Sequence, residues 1–371
     1  MSTHSKLSLL IATLLLSALA CGESTAQTEP APIKTGSIQP TGDVVPAGDR
    51  ILSIAVNEAE DGDYNNAFFL AREAGLQTVS LSLQWDEIET APGVYAPEPN
   101  FLEIANLYYP NQNIPLDLMI GAIDTNNLRL PDDLRDKSFD DPEVVERYKA
   151  LLDYVFSQLP ETEVNSLAVG NEINAWLGDD PGKWKEYTIF YEAIVKYMHA
   201  NWPDVPVGSK VMYSAMAGDL EPLVTSLNTS SDIIMVTYYP LNEDFRVQDP
   251  EVVHRDFQTI ADIYPDRTIW FMEIGYPSST INKSSEEKQA QFIQQAFQAW
   301  DTHADHIQLL NFVWLTDIPA DQVSVYEEYY GLSDAGFLAY LASLGLRYGE
   351  GSGSDKPAFL QLILEAEARG W

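Results

Sequence analysis

Beyond Arg50 the chain alternates short apolar runs with longer amphipathic stretches. Eight of the runs have the length and composition of buried strands: 51–56, 78–83, 116–122, 166–169, 207–212, 233–238, 268–273 and 308–314. Helical patterns lie between them at 64–74, 142–158, 184–201, 250–263 and 286–302, and 356–368 closes the chain. The link after the second run, 101–108, is the shortest. Strands alternating with helices imply a parallel sheet covered on its outer face. Eight such units at about 40 residues each predict a single (β/α)8 TIM barrel. A doubly wound open sheet would need a Gly-rich phosphate turn after its first strand. Here that turn is Asn57-Glu58-Ala59-Glu60-Asp61, an acidic loop that repels a dinucleotide.

The texture before Arg50 is different. Lys6 precedes an apolar stretch from Leu9 to Leu16, interrupted only by Thr13 and followed by Ser17-Ala18-Leu19-Ala20-Cys21. A bilayer span takes about 20 helical residues, so residues 1–20 are expected to be a signal peptide. The small residues before Cys21 resemble a bacterial lipobox. That resemblance implies cleavage before Cys21, lipidation of its sulfur and anchorage in a bacterial cell envelope; an ordinary secretory signal ending near Ala20 is the alternative. Residues 21–48 are rich in Glu, Ser, Thr, Pro and Gly and are expected to form a disordered tether. The barrel domain is then 49–371.

Composition narrows the partners. There are 56 acidic against 21 basic residues, a formal net charge of −35, and no Lys/Arg cluster, which argues against a nucleic-acid partner. One cysteine excludes an internal disulfide. The five histidines are scattered, so neither a metal site nor a cofactor is expected. Asp61-Gly62-Asp63 lacks the rest of a calcium loop and reads as an acidic turn.

Barrel chemistry sits where strands end. The fourth run leads into Val169-Gly170-Asn171-Glu172-Ile173-Asn174 and the seventh is Trp270-Phe271-Met272-Glu273-Ile274-Gly275-Tyr276-Pro277. Each puts a Glu directly after apolar residues, where desolvation raises a carboxyl pKa unless partners hold the anion. Two carboxylates facing one cavity are what glycoside hydrolysis requires.

These residues resemble glycoside hydrolase clan A, the retaining (β/α)8 glycosidases, with Asn171-Glu172 at the acid/base position and Glu273 at the nucleophile position. Tyr238-Tyr239-Pro240 and Trp314 also fall at contact positions of that clan. Val169-Gly170-Asn171-Glu172, Tyr238-Tyr239-Pro240 and Glu273-Ile274-Gly275-Tyr276-Pro277 are similar to family 53 endo-β-1,4-galactanases. Glu273-Ile274-Gly275-Tyr276-Pro277-Ser278 resembles family 17 β-1,3-glucanases, and Trp85-Asp86-Glu87-Ile88-Glu89 with Gly93-Val94-Tyr95 resembles families 5, 39 and 42. The chain departs from the clan in having no Arg near the end of its second strand and no His after its third. Lys210, near the fifth, is the available substitute cation.

The resemblance implies a retaining hydrolase of a β-linked polysaccharide or oligosaccharide. Glu273 attacks, Glu172 protonates the leaving sugar and then activates water, Asn171 bonds the sugar 2-OH, and Tyr238 or Tyr239 donates to Glu273. Among the aromatics at strand ends, Trp85, Trp176, Tyr238, Tyr239, Tyr276 and Trp314, sugar platforms are expected first at Trp314 and Trp176. Asp124 and Asn126 are expected to bond sugar hydroxyls. A noncatalytic glycan- or protein-binding lipoprotein with a degenerate barrel site is the alternative from another class, and a transglycosylase is a second one. The 323–353 region, with Tyr326, Tyr329 and Tyr330, is long enough to wall one side of a cleft.

Overall fold

The computed structural model describes residues 44–371; the expected signal peptide, Cys21 and nearly all of the tether lie outside the described residues. All eight expected strands form: β1 (Ile51–Ile54), β2 (Val79–Gln84), β3 (Leu116–Asp124), β4 (Val164–Asn171), β5 (Val207–Gly208 with Lys210–Met212), β6 (Ile234–Tyr238), β7 (Ile269–Ile274) and β8 (Ile307–Phe312). A helix follows each in turn: α1 (Tyr64–Glu73), α2 (Phe101–Tyr108), α3 (Pro142–Ser157), α4 (Pro181–Asn201), α5 (Glu221–Asn228), α6 (Val252–Ile263), α7 (Glu286–Thr302) and α8 (Pro357–Arg369).

The strands pair in parallel in the orders β1-β8-β7-β6-β5 and β2-β3-β4-β5. A parallel bridge between Ser53 and Thr78 joins β1 to β2, so the ring closes as a (β/α)8 barrel. Alternation along each strand divides the apolar residues into two layers. Met119, Ala168, Met235, Trp270, Met272 and Leu309 fill the barrel, while neighbours such as Leu118, Val236 and Phe271 face the helices.

Side-chain caps set several helix starts. Asp63 accepts from Asn66 N at α1, Asn100 from Glu103 N at α2 and Asp180 from Gly182 N at α4. These acceptors take up N–H groups that have no partner within the helix. The apolar pattern does not predict α5, whose eight residues make barely two turns and carry a proline, Pro222, in the first. Nor does it predict two helices between β8 and α8, Ala320–Tyr330 and Ala335–Ala342.

The end of the barrel where strands begin is sealed. Arg50 ion-pairs with Asp301 at 2.9 Å and lies over the rings of Trp300 and Trp371. Arg369 holds the same aspartate from α8. Chemistry is left to the opposite end.

Candidate active site

The turn after β4 is built for one side chain. Gly170 has φ +81°, and a Cβ there would stand 2.7 Å from Ile173 Cγ2 and 3.0 Å from the Tyr187 hydroxyl, so no larger residue fits. Two residues on, Glu172 has φ 44°, in the left-handed region that costs a non-glycine residue free energy. Its Oε1 accepts from Thr237 Oγ1 at 2.7 Å and its Oε2 from Thr125 Oγ1 at 3.1 Å.

Glu273 reaches the same place from β7. Thr237, which holds Glu172, is the register partner of Glu273 across β6 and β7, and neighbouring strands lie about 4.8 Å apart. The two carboxyls therefore share one end of the barrel. Glu273 Oε1 accepts from Lys210 Nζ at 3.2 Å and Oε2 from the Tyr239 hydroxyl at 2.8 Å. Lys210 rises from β5 with its side chain 4% exposed, and supplies a positive charge where the second strand has no arginine.

Their environments differ. Glu172 opens to the cavity on one side and is surrounded by protein on the others; its donors are two neutral hydroxyls. Burial first, and then the charge of Glu273, push it up from 4.5 to about 7 against the pull of the threonine bonds. Glu273 instead takes one hydrogen bond from an ammonium and one from a phenol. The arrangement offers a proton donor and a held carboxylate on one cavity.

That cavity has a volume of about 800 Å³, and Glu172, Glu273, Asn171, Trp314, Tyr326 and Tyr340 are among its lining residues. Asn171 donates to Asp124 Oδ1 at 3.0 Å, and its own Oδ1 has no hydrogen-bond partner. Trp314 stacks on Tyr326, ring centroids 6.0 Å apart. Tyr239 meets Glu273 as the sequence suggested for one of the two tyrosines. Among the described residues no group of three His, Cys, Asp or Glu side chains is arranged to hold a metal ion.

Several expected contacts are placed elsewhere. Trp85 is wholly buried and donates to Glu89 Oε2 at 2.7 Å, because its strand end turns straight into a short helix under α3. Trp176 packs edge-on against Phe139 with the Lys183 ammonium 4.1 Å above its ring, outside the cavity lining. Tyr238 has its ring at the cavity wall, but it is 1% exposed and its hydroxyl donates to Asp256 Oδ2 at 2.9 Å. Tyr276 is buried, donating to the Gln248 carbonyl at 2.6 Å. Asp124 lines the cavity and accepts from Gln84, Asn171 and Tyr329, so it orients these protein groups. Asn126 lines the cavity and donates to the Tyr330 carbonyl at 2.9 Å.

Nothing in the sequence marks Thr125 and Thr237. A threonine at the end of an apolar run carries no signal until the fold shows what faces it. Tyr340 is likewise invisible, since it arrives on the second inserted helix.

No protein-family model matches the chain, and no curated protein matches it in sequence. Among solved structures it is similar to a GH5_18 from Bifidobacterium longum subsp. longum in complex with Manβ1-4GlcNAc: TM-score 0.68 and 14% identity over 86% of this chain and 79% of that one. It is also similar to the exo-β-1,4-mannosidase Op5Man5 from an Opitutaceae bacterium, at TM-score 0.65 and 15% identity, covering 86% of this chain and 59% of that one. A β-glucosidase from Thermotoga maritima matches at TM-score 0.58 and 12% identity over 88% and 97% of the two chains. Likeness at such identities speaks for the architecture, and the architecture is the TIM barrel.

Proposed function

We propose that this chain is a retaining O-glycosyl hydrolase of clan A, acting on a β-linked oligosaccharide or polysaccharide, with Glu273 as nucleophile and Glu172 as acid/base. One observation carries the reading: two glutamates from distant strands meet on one cavity, the first pushed towards neutrality by burial and the second beside Lys210 and Tyr239. In the first step Glu273 attacks the anomeric carbon while Glu172 passes its proton to the departing glycosidic oxygen. In the second, Glu172 takes a proton from water as that water displaces Glu273, returning both carboxyls to their starting states. Asn171 lines the cavity next to Glu172, where it would meet a sugar hydroxyl, and Trp314 and Tyr326 offer faces to apolar sugar C–H groups.

The solved neighbours named as a β-mannosidase, a β-glucosidase and a complex with Manβ1-4GlcNAc support a β-linked glycan. The likeness to family 53 rests on the motifs. Lys210 weighs against a degenerate, noncatalytic site, because it gives Glu273 the cation that the second strand lacks. Our reading places the protein in the bacterial envelope through a lipid on Cys21, and Cys21→Ser should move it from the membrane to the soluble fraction.

The test is hydrolysis of aryl β-glycosides, with the anomer of the first product read by NMR. Retention is expected. Glu273→Gln should lower kcat by about 10³-fold or more, and Glu172→Gln should do so mainly for poor leaving groups. An inverted product, or full activity in Glu273→Gln, would overturn the reading.

A further inference from the structure

The excursion between β8 and α8 ties together distant parts of the barrel rim. Its first helix, Ala320–Tyr330, ends over the loop that follows β3. There Asn126 donates to the Tyr330 carbonyl at 2.9 Å and Asn127 to the Tyr329 carbonyl at 3.2 Å. The Tyr329 hydroxyl donates to Asp124 Oδ2 at 2.5 Å and accepts from Arg129 Nη1 at 3.1 Å. The second helix, Ala335–Ala342, rests on the loops after β6 and β7. Asn282 donates to the Gly336 carbonyl at 2.8 Å, Phe337 packs on Phe245 and Tyr340 meets Tyr239 edge-on at 5.5 Å.

Rooted at β8, the insertion is therefore fastened to the rim at β3 on one side and at β6 and β7 on the other. The arc over β4 and β5 is not among these attachments. Under the insertion Trp314, Tyr326 and Tyr330 form a continuous near-parallel stack, with centroids 6.0 Å apart at each step. A buried apolar cluster of Ile318, Val323, Phe337, Tyr340, Leu341 and Leu344 stiffens it. At its root, the buried Lys356 ammonium pairs with Asp317 at 2.6 Å.

A proton donor must stand within hydrogen-bond reach of the oxygen it protonates. Glu172 follows β4, so the leaving sugar points to the β4–β5 arc, which none of these attachments reaches. The sugar that Glu273 attacks then lies on the other side, beneath the aromatic stack. A polysaccharide cut internally needs a groove that continues past the cleavage point in both directions. Resting on the glycosidase reading above, we propose that the insertion turns the glycone side into a blind pocket. The protein thereby takes the non-reducing ends of β-linked oligosaccharides and releases the terminal sugar.

The experiment measures binding and cleavage separately. Glu273→Gln protein is titrated with β-linked oligosaccharides of two to six units, plain or capped by a bulky ether at the non-reducing terminus. The wild type is given the same substrates with a reducing-end fluorophore. Capped chains should bind about tenfold more weakly or worse, and the wild type should release only the terminal sugar. Tyr329→Phe combined with Asn127→Ala loosens the β3 attachment and should restore part of the binding of capped chains. Equal binding of plain and capped chains, or release of internal fragments by the wild type, overturns the blind pocket. End-selective binding without hydrolysis would instead remove the hydrolase reading and leave the pocket standing. No binding of any chain would remove both.

Discussion

The environment of Glu172 has a measurable consequence for both stability and activity. Folding moves its carboxyl from the ordinary 4.5 to about 7. Below pH 4.5 the group is protonated in both the folded and unfolded chain, and it contributes no pH dependence. Between 4.5 and 7 the unfolded chain releases the proton while the folded one keeps it, so stability falls as pH rises. Above 7 both are ionised and the full penalty is present. At about 1.4 kcal/mol per pH unit of separation, the penalty is about 3 kcal/mol. Glu172→Gln cannot ionise, yet its amide still offers groups to Thr125 and Thr237. The variant should therefore gain about 3 kcal/mol over the wild type between pH 4.5 and pH 8. Urea unfolding of both proteins at pH 4.5, 6 and 8 measures this, and the difference between them cancels the contribution of the other acidic residues. The pH dependence of kcat/KM gives a second reading, since activity should decline as pH rises through about 7. Parallel stability curves for the two proteins would show that Glu172 is not desolvated in the way its surroundings indicate.

Two further outcomes concern the support of Glu273. Tyr239→Phe removes the hydroxyl donor at 2.8 Å; a hydrogen bond to a charged group is worth about 1.5–3 kcal/mol, so kcat should drop about 10- to 150-fold with little change in KM. Gly275→Ala would place a Cβ 2.8 Å from Tyr239 Cε1 and 3.0 Å from the Val313 carbonyl. It should displace the same ring and lower kcat similarly, and the double variant should be no worse than the more damaging single one, because both act through one contact. Steady-state kinetics of the three variants checks both statements, and additive losses would show that Gly275 acts elsewhere.

The eight strands and most helices could be read from the chain because each is a local pattern. A buried parallel strand is a short apolar run, and an outer helix is an apolar stripe with polar backing. Glu172 and Glu273 could be read for a related reason: a charged residue directly after an apolar run is costly to bury, so it stands out. Lys210 could be named as a substitute cation only through the resemblance to clan A, which implies an Arg near the second strand where this chain has none. The aromatic residues could not be sorted in this way. Trp85, Trp176 and Trp314 all follow strands, yet only Trp314 lines the cavity; burial on one side or the other of a strand end is settled by which neighbour packs there.

What the sequence by itself determined was the alternation that closes the barrel, the two carboxylates at its strand ends and the glycines around them. Those are consequences of hydrophobic period, desolvation and backbone sterics, all of which act within a few residues. The tertiary structure alone decided that Thr237 and Thr125 hold Glu172, that Tyr239 rather than Tyr238 holds Glu273, and that the insertion after β8 reaches the loop after β3. Each of these joins residues tens to hundreds of positions apart, and a contact of that kind exists only once the ring of strands has closed.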